Sequence, residues 1–159
     1  KIDHATLRSR WSLGADVLGN GDRATGRAFA SYRRALWRAG GVATLAVRTG
    51  ITTSDPLPQQ AFRIGGTSTL RGFDYGTRRG QAFWAAQLDW PLKRGLIQPV
   101  VFVDGGQAAS ASDLFGSRAL AGGGAGLMLL GGILRFDLSH PITGGGSGLR
   151  FDLGVQGLF

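Results

Sequence analysis

Apolar and polar residues alternate along most of this sequence, and this period of two restricts the possible fold more than any other feature. The clearest stretch runs from Gln81 to Trp90. Trp84 and Leu88 fall on one face of it, and Asp89 falls on the other. Such alternation is typical of β-strands whose two faces meet different surroundings. No stretch approaches the roughly 18 apolar residues that a transmembrane helix requires. The sequence therefore predicts an all-β chain.

Alternation and turn signals together predict about eight strands of about 9–13 residues. Tilted strands of about 9–11 residues are long enough to cross a bilayer. No Pro- or Ser-rich linker interrupts the chain, so we treat residues 1–159 as one domain. We place the strands at about 5–13, 25–37, 43–51, 81–90, 96–105, 119–130, 132–140 and 150–159.

One connection, about residues 52–79, shows no clear alternation. Loops longer than about 12–15 residues in a compact domain are usually functional or disordered. This one contains Phe62, Ile64, Leu70 and Phe73, which can pack against other parts of the chain. We therefore expect an ordered loop with a function.

Two architectures fit alternating strands, a soluble β-sandwich and a membrane β-barrel. Trp11, Trp90 and Phe159 stand near predicted strand ends, where a membrane barrel carries its aromatic girdles. Charges stand in mid-strand opposite the apolar faces, where a polar barrel interior would hold them. These observations favour an antiparallel transmembrane β-barrel, with the soluble sandwich as the alternative. The mid-strand charges that we assign to the polar interior are those of Arg48, Asp89, Asp104, Arg135, Asp137 and Asp152.

Charge and composition narrow the function further. The formal net charge is +8, but the arginines are scattered and do not form the clusters with aromatics that nucleic-acid binding requires. The excess fits solvated loops and a polar lumen, or contact with outer-membrane lipid or lipopolysaccharide. The chain has no Cys, and His4 and His140 are far apart in sequence. We find no catalytic motif, cofactor motif or metal-ligand spacing, and we read the glycines of 122–126 as part of a strand. We therefore predict no enzymatic activity.

Four motifs in order resemble the BamA/TamA/FhaC superfamily of outer-membrane insertion and translocation barrels. The first is Phe-Arg-Ile-Gly-Gly at 62–66, followed by Leu-Arg-Gly-Phe at 70–73. The others are Gln-Leu-Asp-Trp-Pro-Leu at 87–92, Phe-Val-Asp-Gly-Gly at 102–106, and Leu-Arg-Phe-Asp-Leu at 134–138 together with the terminal Phe159. Residues 1–61 share only the strand pattern. The resemblance implies the C-terminal half of a sixteen-stranded barrel, without the periplasmic POTRA repeats.

The resemblance also implies roles for individual residues. In the family the long loop folds back into the lumen, and its tip is held there by a carboxylate. The loop motif comprises Gly65, Gly66, Leu70, Arg71, Gly72 and Phe73. The loop anchor comprises Asp104, Phe102 and Gly106, and the C-terminal signal for barrel insertion comprises Phe151, Leu153, Val155 and Phe159.

Physical chemistry supports an ion pair between Arg71 and Asp104. A guanidinium with little water around it needs a fixed carboxylate, because an unpaired desolvated charge costs several kcal/mol. Asp104 faces the interior if Val101 and Val103 face lipid. The alternatives are that Arg71 is an ordinary exposed loop arginine and that Phe159 is an ordinary girdle aromatic.

The resemblance implies a part in protein insertion or translocation at the outer membrane, with a client polypeptide as a partner. The alternative is a passive pore, or a membrane anchor for a separate or upstream domain. Eight strands enclose too little space for a long loop, so a lumenal loop requires more strands. A second copy in a homodimer, or a missing N-terminal half, would supply them. A small closed barrel with the loop outside is the alternative.

Overall fold

The computed structural model describes residues 2–5, 9–20, 23–38, 41–53, 60–116, 118–144 and 148–155. Its regular structure consists of eleven strands and a short 3₁₀ turn at Leu130–Gly132. Within these residues, no helix is long and apolar enough to cross a membrane. The strands are β1 (Ile2–Ala5), β2 (Ser9–Asn20), β3 (Arg23–Arg38), β4 (Gly41–Thr52), β5 (Phe62–Ile64), β6 (Arg78–Gly80), β7 (Ala82–Pro91), β8 (Ile97–Ala109), β9 (Leu120–Leu129), β10 (Leu134–Pro141) and β11 (Arg150–Val155).

Nine of these strands form one antiparallel sheet in the order β1-β2-β3-β4-β7-β8-β9-β10-β11. Eight of them match the predicted strands, and the four-residue β1 is additional. The predicted all-β antiparallel fold is thus confirmed. β1 and β11 are the sheet edges, and in the part of the chain that the structure describes no pairing joins them. The sheet is therefore open.

Three predicted boundaries were wrong. The strand predicted at 5–13 is two strands, because β1 ends at Ala5 and β2 begins at Ser9 and continues to Asn20. Pairing with β3 along the whole of β2 carries this strand to Asn20, well beyond its predicted end at about 13. β8 continues past 105 to Ala109. Residues 156–159, at the end of the last predicted strand, lie outside the described part of the chain.

The two faces of the sheet differ in what lies against them. The covered face carries Asp89, Asp104 and Asp137, and residues 60–81 pack against it. The open face is opposite and carries side chains such as Val101 and Leu138, which are 41% and 48% exposed. The charged residues singled out in the predicted strands all lie on the covered face, as the strand registers require.

Candidate functional site

The base of the long loop is a small hairpin that packs on the covered face. β5 pairs with β6, and the aromatic ring of Phe62 lies 4.7 Å from that of Phe83 on β7. Phe62, Ile64 and Phe83 belong to one buried apolar cluster with Ala85 and Ala108. Burial of these side chains holds the loop base against the sheet, because each fully buried large apolar side chain stabilises the folded protein by about 1.5–3 kcal/mol.

Two glycines at the end of β5 turn the chain toward the tip of the loop. Gly65 and Gly66 have φ angles of 122° and 77°, which L side chains rarely adopt. The Gly66 amide donates to the carbonyl of Phe73 at 2.8 Å, and the Leu70 amide donates to that of Gly66 at 2.9 Å. Thr69 Oγ1 accepts from the Gly65 amide and donates to its carbonyl, both at 2.9 Å. The tip is thus a closed turn with a fixed shape.

Arg71 extends from this turn into the sheet and is only 3% exposed. Its Nε donates to Asp104 Oδ2 at 2.7 Å, and its Nη2 donates to Asp104 Oδ1 at 2.6 Å. Its backbone amide also donates to Oδ2 at 2.9 Å. Two parallel side-chain bonds from one guanidinium to one carboxylate form the most directional ion pair that proteins use. The structure thus brings the tip of the loop and the middle of β8 together.

Three more charged residues extend this pair into a network. Arg71 Nη1 donates to Asp89 Oδ1 at 2.8 Å and lies 3.6 Å from Asp137 Oδ2. Arg135 donates to the same two aspartates, each at 2.7 Å. The five residues come from the loop and from β7, β8 and β10, so the network joins three strands to the tip. It has two arginines and three aspartates, and so carries one negative charge in excess.

Phe102 lies beside the network on the same face of β8. The carbon at the centre of the Arg71 guanidinium is 3.8 Å from the centre of the Phe102 ring, within the range of a cation–π contact. Burial by itself lowers the pKa of the Arg71 guanidinium. The hydrogen bonds and charges of Asp104 and Asp89 outweigh that effect and raise the pKa above its ordinary value. Arg71 is therefore a permanent cation at the tip.

Glycines on the sheet leave room for the backbone of the tip. A Cβ on Gly122 of β9 would lie 2.3 Å from the carbonyl oxygen of Arg71. A Cβ on Gly106 of β8 would lie 3.2 Å from the side chain of Leu70. Gly72 has a φ of 89°, and a Cβ there would lie 3.0 Å from the backbone of His140. The tip can reach Asp104 only because these positions carry no side chain.

Apolar contacts surround the tip on its other side. Leu70 and Phe73 are buried in a cluster with Leu120 of β9. Further out, Arg48 donates to the carbonyl of Ser68 at 2.7 Å. An exposed pair between Arg150 and Asp74 adds little, because exposed ion pairs are weak. The loop is therefore fixed mainly by its buried residues.

The residues predicted for the loop and its anchor lie in one place, whereas those predicted for the C-terminal signal do not join them. Phe151, Leu153 and Val155 are on the open face and are 65%, 61% and 72% exposed. Phe159 lies outside the described residues. The role of the first set as loop anchor and the role of the second as C-terminal signal both stay predictions.

Several participants were missed at the sequence level. Asp89 and the pair Arg135 and Asp137 were predicted to face a polar interior, but not to touch Arg71. Gly122 was predicted only as part of a strand. Alternation showed the face of each residue but not its distance from the loop. Among the described residues, no cluster of side chains could hold a metal ion.

Comparison with known protein families gives a match. Residues 44–129 match the family model described as "Haemolysin secretion/activation protein ShlB/FhaC/HecB". The match extends from β4, through the long loop, to the end of β9. A comparison with curated proteins gave no match.

Proposed function

Because the chain belongs to the haemolysin secretion/activation family ShlB/FhaC/HecB, whose members are outer-membrane secretion proteins and not enzymes, we propose that it forms part of a β-barrel that moves polypeptides across the outer membrane. One observation carries the proposal. A buried ion network fixes a long loop to the polar face of a sheet whose other face is apolar and exposed. A protein surrounded by lipid and filled by its own loop would have this arrangement.

The open face supports a position in lipid. Leu13, Val103 and Leu127 are each at least 44% exposed on it, although they come from three different strands. A soluble protein rarely leaves so much contiguous apolar surface uncovered. In a bilayer the same surface meets acyl chains.

The connections at the two ends of the sheet support an orientation. The end of the sheet where β4 ends carries the connections 21–22, 53–81, 110–119 and 142–149, and we name it the long-loop end because three of these four are long. The opposite, short-turn end carries 39–40, 92–96 and 130–133. Outer-membrane barrels have long loops outside and short turns in the periplasm. We therefore place the long-loop end outside the cell.

The open edges indicate that other strands complete the barrel. Unpaired backbone groups cost several kcal/mol each in lipid, so β1 and β11 need partners there. The nine strands of the sheet leave seven to be supplied if the barrel has the family's sixteen. Two copies would give eighteen. We therefore favour a preceding segment of the same polypeptide, which makes this chain the C-terminal half of the barrel.

Cysteine crosslinking separates these two forms of closure. Residues 1–159 contain no Cys, so a Val155→Cys substitution introduces the first thiol among them, on the edge strand β11. We expect a bifunctional thiol crosslinker to give no dimer in native outer membranes, because β11 pairs within its own polypeptide. Gly131→Cys, at the short-turn end, controls for random collision. A dimer formed through position 155 but not through 131 would support closure by a second copy.

Secretion itself is tested in cells that lack the protein. We expect a polypeptide to disappear from the culture medium of such cells and to return when the wild-type gene is supplied. Supplying the Arg71→Glu variant instead should not restore it, whereas Arg79→Glu, the same change at an exposed residue of the same loop, should restore it. An unchanged medium, together with ion conductance by the purified protein in planar bilayers, would indicate a passive pore instead.

A further inference from the structure

Three arginines form a second charged group on the covered face. They are separate from the five charged residues around the loop tip, which we call the loop network (Arg71, Asp89, Asp104, Arg135 and Asp137). Arg10 on β2 stands directly opposite Arg33 on β3. Arg33 pairs in register with Ala46 of β4, so Arg48 is its diagonal neighbour on the same face. We call Arg10, Arg33 and Arg48 the arginine cluster.

The arginine cluster has no carboxylate partner among the described residues. Other arginines of the covered face do: Arg27 lies 3.9 Å from Asp16, and Arg71 and Arg135 belong to the loop network. Arg48 donates only to a backbone carbonyl, that of Ser68. Like charges directly opposite each other on a sheet are destabilising. The fold therefore retains an arrangement that costs stability, in which three cations lack a carboxylate partner.

The cluster lines open space that continues toward the loop tip. A cavity of about 270 Å³ is bordered by all three arginines and by Ser31 and Ala46. A second cavity, of about 520 Å³, is bordered by Arg33, Ala46 and Arg48 as well as by Arg71 and Asp89. The shared residues place the two cavities side by side on the covered face, and we call the pair the polar passage. Its walls change from an excess of positive charge to an excess of negative charge.

The cluster lies along the covered face, between the two ends of the sheet. Arg10 is the second residue of β2 counted from the short-turn end, and Arg33 lies opposite it, whereas Arg48 is the eighth residue of β4 from that end. Under the proposed orientation a secreted polypeptide would enter from the short-turn end and meet these arginines on its way. A cationic surface along such a path raises the local concentration of anionic ligands.

We propose that the arginine cluster binds carboxylate side chains of an extended, acidic segment of the secreted polypeptide. This inference rests on the proposed secretion function. The planar guanidinium groups of Arg10, Arg33 and Arg48 suit carboxylates, which they can hold through paired hydrogen bonds. Arg10 and Arg33 stand about 5 Å apart on adjacent strands, and Arg33 and Arg48 stand about 7–8 Å apart on the diagonal. This spacing favours several carboxylates on one chain over a single small anion.

The test measures binding of a short fluorescein-labelled polyglutamate peptide to the protein in detergent, by fluorescence anisotropy. Polyglutamine of the same length is the neutral probe. We expect the Arg10→Gln/Arg33→Gln/Arg48→Gln variant to bind polyglutamate roughly tenfold more weakly or worse, since each lost charge-assisted contact removes a sizeable share of the affinity. Rising salt should weaken the wild-type complex in the same direction.

Arg34→Gln is the matched control, because Arg34 is the sequence neighbour of Arg33 and points to the opposite face. It removes one positive charge, against three in the triple variant, and should leave binding unchanged. The unfolding temperature of the triple variant should stay the same or rise, because repulsion is relieved. Weaker binding with an intact fold therefore reports on the site.

Three results would overturn the inference: equal binding of polyglutamine and polyglutamate, a triple variant that binds like the wild type, or displacement of the peptide by inorganic phosphate far more readily than by free glutamate. The last would assign the cluster to phosphate groups. If binding does not depend on the arginines but secretion is normal, only this inference is rejected. If binding depends on the arginines but the protein secretes no polypeptide, the secretion function is rejected and the anion-binding site remains.

Discussion

Replacing Arg71 by glutamate is expected to release the loop tip from the sheet and to destabilise the protein by about 3–5 kcal/mol, the usual cost of breaking a buried ion pair. The substitution removes the only described cation that contacts Asp104 and places a fourth carboxylate beside Asp89 and Asp137. Secretion should be lost, and the loop should become accessible to protease from outside the cell. Denaturation in urea and limited proteolysis measure the two effects.

Rescue separates a specific pair from general damage. Asp104→Arg in the Arg71→Glu background should restore part of the stability, because opposite charges again face each other. Restoration should be incomplete, since the Arg71 backbone amide also donates to Asp104. Arg79→Glu makes the same charge change on an exposed side chain of the same loop and should behave like the wild type. A stable and active Arg71→Glu protein would contradict the proposed role of the ion pair.

Gly122→Ala is the second substitution expected to have a large effect. Gly122 stands opposite Asp104 in the sheet, directly beneath the loop tip. Its new Cβ would lie 2.3 Å from the carbonyl oxygen of Arg71, so the backbone of the tip must move. We expect a loss of about 1–3 kcal/mol, typical of overpacking, and a weaker contact between Arg71 and Asp104. Urea denaturation and protease access to the loop measure both.

Gly105→Ala is the matched control for Gly122→Ala. Gly105 lies on the neighbouring strand β8, and the nearest atoms to a Cβ there are 3.9 Å away, an ordinary contact. The control has the same change in side chain and in strand propensity, so it should cost much less. Equal destabilisation by the two substitutions would mean that strand propensity, and not the fit of the loop, explains the effect.

The loop network holds the tip through several strands of the sheet. Asp89 and Arg135 join Arg71 to two further strands, so the tip does not depend on one carboxylate alone. Asp137 packs closely against Gly126 of β9, where a Cβ would lie 2.2 Å from Asp137 Oδ1. Asp137 and the backbone of Arg71 therefore each need a glycine on β9, Gly126 and Gly122, beside them. Movement of the loop would require several of these contacts to break together.

Much of the fold could be predicted because strand alternation is a local property. Trp84 and Asp89 on β7 lie on opposite faces, as the period of two requires. The order of the sheet strands also follows from the sequence, since each pairs with its neighbour along the chain. The end of β2 was predicted too early, because pairing with β3, and not the local alternation, sets its length.

The sequence by itself determined which residues face the two surfaces of the sheet, where the long loop lies, and that Arg71 and Asp104 are suited to pair. It could not determine that Asp89, Arg135 and Asp137 meet the same guanidinium. Alternation assigns a residue to a face but carries no information on how far each strand is shifted along its neighbour. That shift is set by hydrogen bonds between strands distant in sequence, and by glycines such as Gly122 that let the loop approach. Only the tertiary structure therefore decided which charges are close enough to form the network.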